Sequence, residues 1–503
     1  MSFIHAPLKW LMKYRIAEIE RLKNDPISAQ EKTLFEILFR AENTEYGKKY
    51  NFESIKNISD FQKNVPINSY EDFFPFIERM MKGQGNILWP GIISWFSKSS
   101  GTTNARSKFI PVSNESLEEC HFEAGKDELG LYIKNNPNTK IFEGKSLCVG
   151  GSFLQVNEDP EIFCGDISAV IIKNMPMWAQ YLRTPSLETA LLPEFEEKLE
   201  RLAEEASKEN VTSIAGVPTW VSIVVRKVLE KTGAKNIYEV WPNLEVFFHG
   251  AVAFAPYKKL FAKLFPSPNM RYMEAYNSSE GFFAIQDDPS REGEMMLMPD
   301  YGVFYEFIPM SEFGNENPRI STMVDVEIGK NYALVISTNG GLWRYVIGDT
   351  VAFTTLFPHR IKITGRTKHF MNAFGEEVVV HNADMAIKEA CEATRASVED
   401  YTACPIFMEH GGKGGHEWIV EFGSEPDSIE HFKGVLDASL RRINSDYDAK
   451  RHKDIALAEP VVHKAPKGTF YKWMKSRNKL GGQNKVPRLS NSREYVEEIL
   501  KMI

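Results

Sequence analysis

Lys98-Ser-Ser-Gly-Thr-Thr-Asn-Ala-Arg-Ser-Lys108 is a hydroxyl-rich loop set between two apolar runs, Ile92-Ile93-Ser94-Trp95-Phe96 and Phe109-Ile110-Pro111-Val112. The pattern predicts strand, loop, strand. The hydroxyls of Ser99, Ser100, Thr102 and Thr103, a permissive glycine at Gly101 and a run of backbone N–H groups are the parts that wrap a polyphosphate. Lys108 adds a full positive charge. Serine, glycine and threonine are also ordinary turn residues. The loop takes its meaning from the motifs downstream of it in the chain.

A chain of 503 residues is too long for one ordinary domain; the length predicts about three units, or one large enzyme with subdomains. Its apolar share of 43% and charged share of 25% match a globular protein with ample core. A net charge of −8 argues against a nucleic-acid-binding surface, although a local basic site for an anionic ligand remains open. The five cysteines (Cys120, Cys148, Cys164, Cys391, Cys404) are odd in number and widely spaced, which predicts reduced thiols rather than a disulfide scaffold or a zinc knuckle. The first twenty residues mix apolar positions with Lys9, Lys13, Arg15 and Glu18, as an amphipathic helix would. No apolar run has the form of a signal peptide or the length of a membrane span, so the expected setting is cytoplasmic, with no membrane partner.

The N-terminal part reads as helical. Ser28-Ala-Gln-Glu31 has the capping-box pattern, and Leu34, Ile37, Leu38 and Ala41 then recur at helical spacing. Pro66, Pro75 and Pro90 punctuate what reads as a loop-rich passage. From about residue 140 strands and helices alternate. Residues 148–151, 169–172, 214–217, 244–248 and 271–274 read as strands, and 194–209 as a charged helix with Phe195, Leu199, Leu202 and Ala206 on one side. That alternation predicts an α/β architecture with a mostly parallel sheet. Residues 294–365 change character: 295–298, 303–308, 332–337 and 351–354 are closely spaced strand candidates, an antiparallel sheet or small barrel. Beyond Gly365-Arg366 a further region brings strands at 406–408 and 418–422 and a helix at 429–443. The expected division is 1–365 and 366–503.

Four further motifs offer chemistry. Glu274-Ala-Tyr276-Asn-Ser-Ser-Glu280-Gly281 pairs an aromatic face suited to a base with a hard oxygen ligand suited to magnesium, while Ser278 and Ser279 can bond a phosphate or a carboxylate. A strand end with a capping serine has the same composition. Trp343-Arg344-Tyr345-Val346-Ile347-Gly348-Asp349 reads as ending in a turn, with Asp349 able to accept from the vicinal hydroxyls of a ribose. Gly365-Arg366-Thr367-Lys368 comes next, with Phe374-Gly-Glu-Glu377 beyond it. Gly481-Gly-Gln-Asn-Lys485-Val-Pro-Arg488 closes the series: a glycine pair makes a mobile loop that can deliver a lysine to a site.

In that order, these motifs resemble those of the adenylate-forming enzymes, which include acyl-CoA synthetases, peptide-synthetase adenylation domains and luciferases. The finer resemblance is to the Gretchen Hagen family of acyl-acid amido synthetases, which join plant hormones to amino acids. Its phosphate loop stands here as Ser99 to Thr103, its Tyr-x-Ser-Ser-Glu as Tyr276 to Glu280, and its Tyr-Arg-Tyr-Arg-x-Gly-Asp as Trp343 to Asp349. The resemblance extends through residues 61–90, Phe248-His-Gly-Ala251 and Lys485-Val-Pro-Arg488, nearly the whole chain. Trp343 and Val346 depart from the plant-type motif, and the stretch after Thr103 lacks the glycine-proline pattern of acyl-CoA synthetases.

The resemblance implies a multidomain α/β enzyme of the adenylate-forming fold: a large N-terminal α/β part with a β-barrel, and a small mobile α+β domain. It implies a ligase that adenylates a small carboxylic acid with ATP, releases pyrophosphate, and passes the acyl group to an amino acid. Ser99, Ser100, Gly101, Thr102 and Thr103 would cradle phosphate with Lys108 assisting, and Ser278 and Ser279 would lie at the same site. Tyr276, Gly250 and Ala251 would contact adenine, Asp349 and Arg366 the ribose, and Glu280 would hold Mg2+. Lys368 would sit at the hinge and Lys485 would reach the α-phosphate, so that Lys485, Glu280 and Thr103 form the implied catalytic set. Two other readings stand beside it: an acid–thiol ligase using coenzyme A, and a homologue that binds nucleotide or acid without turnover. Residues 217–221, with Trp220, and 247–251 are candidates to line the acid pocket, and Trp220 reads equally well as core.

Overall fold

The computed structural model describes residues 2–99, 108–151, 153–154, 161–251, 254, 257–367, 370–371, 378–406, 414–444, 447–448, 451, 457–480, 485–490 and 492–503. The chain divides into two compact units, Met1–Ala251 with Pro268–Lys362, and Val252–Ser267 with Ile363–Ile503. Among the described residues no helix is long and apolar enough to cross a membrane. None of the five cysteines is in a disulfide.

The first unit is built on an eleven-stranded sheet. Edge to edge its strands are Val303–Pro309, Asn331–Thr338, Tyr345–Leu356, His359–Arg366, Met295–Leu297, Gly281–Ile285, Arg271–Ser278, Val246–Gly250, Val211–Gly216, Lys145–Val149 and Arg183–Thr184. The last five run parallel to their neighbours. From the Arg271–Ser278 strand onward the pairings are antiparallel. The strands expected at 294–365 are therefore the antiparallel half of one continuous sheet rather than a separate barrel. Their inward runs, such as Val303–Pro309, are buried throughout, as strands covered on both faces must be. A second sheet, ordered Lys108–Val112, Trp95–Ser99, Phe163–Gly165, Phe153–Leu154, carries the hydroxyl-rich loop.

Three sequence expectations change. Residues 169–172 lie in a helix, Ile167–Asn174, whose Ile167 and Val170 pack on Val112, Leu117 and Phe122. A short apolar run does not distinguish strand from buried helix by periodicity. The passage with three prolines is also largely helical, with Ile58–Asn64 and Tyr70–Met80. Pro75 sits inside the second helix, which a capping box between Ser69 and Asp72 starts and a buried face of Tyr70, Phe73, Ile77 and Met80 holds in place. At the N-terminus the helix Pro26–Ala41 is capped by Asp25, which accepts from the Ser28 N–H, so Ser28 is inside the helix. Proline at the first helical position needs no N–H there, which moves the start upstream of the serine pattern.

The second unit has a three-stranded sheet of Ser397–Ile406, Gly415–Ser424 and Val461–Ala465, with the central strand antiparallel to the first and parallel to the last. Helices Val380–Thr394 and Ile429–Ile443 close one core around Trp418, Phe432 and Leu436. Phe470, Trp473, Val496 and Ile499 fill another. This unit takes in 252–267, which a linear division of the chain places elsewhere. Its helix Lys258–Leu264 is tied in by Lys259 Nζ donating to the Cys391 carbonyl at 2.5 Å and Lys263 Nζ donating to Ser424 Oγ at 3.1 Å.

Candidate active site

The Trp95–Ser99 and Lys108–Val112 strands pair antiparallel with Ser99 opposite Lys108, the two flanks that strand, loop, strand requires. Ser100, Gly101, Thr102 and Thr103 lie outside the described residues, and Ser99 ends the first strand. At the stem Lys108 Nζ donates to the Tyr345 hydroxyl at 3.2 Å and lies over the rings of Tyr70 and Tyr345, 5.4 and 5.8 Å from their centroids. Tyr70 in turn accepts from the Phe109 N–H at 2.8 Å. An aromatic box thus holds one positive charge at the mouth of the loop.

Tyr276 to Glu280 is the end of a tight β-hairpin. Ser278 pairs with Gly281, which leaves Ser279 and Glu280 as a two-residue turn between Arg271–Ser278 and Gly281–Ile285. This hairpin is also the seam at which the parallel half of the sheet becomes antiparallel. Ser278 Oγ donates to Glu280 Oε2 at 2.9 Å and accepts from the Glu280 N–H at 3.1 Å, which fixes the carboxylate on the turn. The Tyr276 ring stands edge-on to Phe283, centroids 4.9 Å apart, and its hydroxyl donates to Asp349 Oδ2 at 2.5 Å.

Asp349 is not in a turn. It lies within the strand Tyr345–Leu356, where Val346 opposes Val335 and Thr350 opposes Ala333, so Ile347, Gly348 and Asp349 together face Leu334. Gly348 takes the left-handed φ of +92° that this bulge needs. A bulge re-aims the side chains that come after it, and here the re-aimed group is the carboxylate that meets Tyr276.

The residues before Asp349 are a structural clamp. Arg344 is fully buried, with Nε and Nη2 on the two oxygens of Glu306 at 2.8 and 3.0 Å, and Nη1 on the carbonyls of Gln62 and Val65 at 2.8 and 2.7 Å. Phe61 lies 5.8 Å beneath the guanidinium. Asn68 bonds the backbone on both sides, its N–H to the Arg344 carbonyl and its carbonyl to the Val346 N–H, each at 2.9 Å. Residues 61–68 and 343–346 are therefore one physical unit. Trp343 is buried among Tyr46, Phe52 and Trp89, and Val346 packs on Ile308, Ala333 and Val335, so both departures from the plant-type motif sit in core packing. Sequence reasoning missed this clamp. The available signal was Glu306, a lone charge inside the apolar run Val303–Pro309, which requires a buried partner.

Gly250 ends the Val246–Gly250 strand opposite Ala275, and a Cβ there would lie 2.3 Å from the Ala275 carbonyl oxygen. Ala251 comes next with φ +72°, uncommon for a residue with a side chain. Arg366 and Lys485 belong to the second unit, and Lys368 lies outside the described residues. The segment bearing exposed Lys485 is laid against the strand Ser397–Ile406. Ala403 N–H donates to the Arg488 carbonyl at 2.9 Å, Ser490 N–H to the Ala403 carbonyl at 3.0 Å, and Thr402 Oγ1 to the Pro487 carbonyl at 2.6 Å. The Arg488 guanidinium bonds Asp400 and the Tyr257 hydroxyl and stacks 4.5 Å from the Tyr401 ring centroid.

Among the described residues no group of three or more His, Cys, Asp or Glu side chains could hold a metal ion. Glu280 is a single fixed carboxylate. Such a donor suits magnesium that arrives on phosphate oxygens and keeps several waters, rather than a protein cage.

Three family descriptions match the chain in order: GH3 family N-terminal domain over residues 15–270, GH3 family central domain over 296–366, and GH3 family C-terminal domain over 381–494. The chain is 24% identical to the indole-3-acetic acid-amido synthetase GH3.3 of Arabidopsis thaliana, over 93% of this chain and 90% of that protein. Among solved structures it is similar to the AtGH3.15 acyl acid amido synthetase in complex with 2,4-DB, with a TM-score of 0.79 and 19% identity over 98% of this chain and 96% of the other. A 2-hydroxyisobutyryl-CoA ligase in its postadenylation state has a TM-score of 0.61 at 12% identity, covering 96% and 94% of the two chains. Both neighbours share the adenylate-forming fold with this chain.

Proposed function

This chain belongs to the GH3 family, and on that premise we propose that it is an ATP-dependent ligase joining a small carboxylic acid to the amine of an amino acid. The observation that carries the proposal is the match of all three family domains, in order, across residues 15–494. Motif by motif, the chain keeps the loop at 99–103, the Tyr276–Glu280 hairpin, Asp349 and Lys485 in the same order.

A free carboxylate resists an amine because attack would have to expel oxide. In the first half-reaction a carboxylate oxygen attacks the α-phosphorus of ATP, and the bond to the β-phosphate oxygen breaks to release pyrophosphate. In the second, the amine nitrogen attacks the acyl carbon, AMP leaves with the bonding pair, and the amine gives up a proton. The protein's task is alignment and charge neutralisation. We assign the phosphates to Ser99, Ser100, Gly101, Thr102, Thr103 and Lys108, with Ser278 and Ser279 beside them. Adenine falls to Tyr276, Gly250 and Ala251, and the ribose to Asp349 and Arg366. Glu280 would hold Mg2+, which neutralises phosphate charge when bound. Lys485 would reach the α-phosphate and carboxylate in one orientation of the C-terminal domain, and Lys368 would mark the hinge to the other. We place the reaction in the cytoplasm.

The test is acceptor-dependent AMP release with amino acids against coenzyme A, in the presence of magnesium-ATP and a panel of acids. Amide formation with an amino acid supports the proposal. Thioester formation alone would move the chain to the acid–thiol ligases.

A further inference from the structure

One face of the helix Glu123–Asn135 is laid on the central sheet by contacts at its two ends. At the C-terminal end the Tyr132 ring meets Phe248, centroids 5.7 Å apart, and its hydroxyl donates to Glu245 at 3.1 Å. At the N-terminal end His121, in the wide-turned segment Ser116–Phe122 that runs into this helix, lies beside Asn277. Positions 121, 125, 128 and 132 form one stripe at helical spacing, so Gly125 and Glu128 face the sheet between the two anchors.

That stretch is hollow. Among the described residues, a Cβ built on half-buried Gly125 would meet nothing within 4 Å. Glycine inside a helix is unfavourable relative to alanine, and here it permits no close backbone approach; what it keeps is room. Glu128, one turn on, borders the same space. Among the described residues it has no hydrogen-bond or ion-pair partner, and burial pushes its carboxyl up to about 8. It nevertheless keeps solvent-reachable surface. A side chain surrounded by protein yet reachable by water is a wall of a hollow, neither core nor outer surface. The strand end of the hollow is polar as well: the buried His121 ring and the Asn277 side chain face each other there. Asn277 stands between Tyr276 and Ser278, so the hollow ends at the hairpin of the candidate site. Phe248 ties it to the segment 247–251 expected to line the acid pocket.

We propose that this hollow receives the part of the acid remote from its carboxylate, and that Glu128 is a specificity-determining residue selecting acids that carry a hydrogen-bond donor there. The inference rests on the acyl-acid reading above. Burial holds this carboxyl toward its neutral form, and a donor brought in by the ligand gives its oxygens a partner in either form. No lysine or arginine stands on the stripe, so an ionised second carboxylate would find no counter-charge there. A purely apolar end would leave Glu128 unpaired. Hydroxyl and ammonium groups share the required chemistry, and their charge tells them apart.

The test is isothermal titration of the full-length protein with two matched series, built on 3-phenylpropionic and octanoic acids, each bearing a methyl, hydroxyl, ammonium or carboxylate group at the distal end. In at least one series the hydroxyl or ammonium acid binds tenfold or more tighter than the methyl acid. Glu128→Leu brings that ratio near one, whereas Glu128→Gln keeps a hydroxyl preference and loses an ammonium one. Gly125→Leu, which fills the space, weakens every member at least tenfold. Melting curves separate these losses from unfolding, because removing an unpaired buried carboxyl leaves the melting temperature unchanged or higher. Equal binding of methyl and donor-bearing acids, a preference that survives Glu128→Leu, or no binding in either series would overturn the proposal. Pyrophosphate exchange with the same acids tests the ligase reading separately: the binding preference without exchange would leave the hollow standing and remove the activity.

Discussion

Tyr276 and Asp349 are 73 residues apart in the chain and meet through a 2.5 Å hydrogen bond, phenol to carboxylate. One comes from the hairpin at the seam of the central sheet, the other from a glycine bulge in a strand of its antiparallel half. The bond fixes the orientation of the carboxylate assigned to the ribose. Tyr276→Phe removes only the hydroxyl, and a hydrogen bond to a charged group contributes about 1.5–3 kcal/mol. The expected result is a drop of about tenfold or more in kcat/KM for ATP, with the melting temperature little changed. Asp349→Ala should be the more severe. Unchanged ATP kinetics in Tyr276→Phe would separate this pair from nucleotide binding.

The Arg344–Glu306 pair makes a different prediction, on stability. Removing one partner of a buried ion pair leaves an uncompensated charge and costs about 3–5 kcal/mol. Arg344→Met should therefore lower stability to denaturant by that order, and pairing it with Glu306→Leu should recover much of the loss. A single variant as stable as the parent would show that the clamp contributes little.

These two pairs also mark what the sequence made legible. The order of the motifs, the strand–loop–strand around residue 99 and the α/β alternation came from periodicity and residue type. The Gly-Asp step read as a turn because a bulge and a turn both recruit glycine with positive φ, and only the pairing of Val346 and Thr350 distinguishes them. The helix Ile167–Asn174 was hidden by its shortness, and the helix Tyr70–Met80 by a proline that its capping and buried face override. Arg344 was invisible as a clamp because its partners lie 38 and about 280 positions away in the chain, at Glu306 and at Gln62 and Val65.

Lys485 and Arg488 should separate in kind. Lys485→Ala is expected to impair acid-dependent pyrophosphate exchange far more than conversion of supplied acyl adenylate to amide. Arg488 holds the segment through Asp400, Tyr257 and Tyr401. Arg488→Gln should reproduce a milder form of the same split, and Arg488→Lys should recover part of it. Equal loss in both half-reactions for Lys485→Ala would remove that residue from the adenylation step.

His121 gives a pH signature. Burial lowers its pKa from the usual 6.5 to about 4, so between those values the unfolded chain binds a proton that the folded chain does not. Its contribution is present in full above pH 6.5, is lost as pH falls toward 4, and changes no further below that. The loss amounts to about 3 kcal/mol across the window. Comparing unfolding free energies of the parent and His121→Leu from pH 7 to pH 4 should show the parent losing that much more. Parallel curves would mean that the ring is protonated in the folded state.

The central claim is tested most directly by mass spectrometry of the products formed when the purified protein, magnesium-ATP and a mixed acid library are incubated with amino acids or with coenzyme A. The account predicts an acyl–amino acid amide, formed with one AMP and one pyrophosphate and absent from Lys485→Ala. A thioester in place of the amide, or no acid-dependent pyrophosphate across the library, would contradict it.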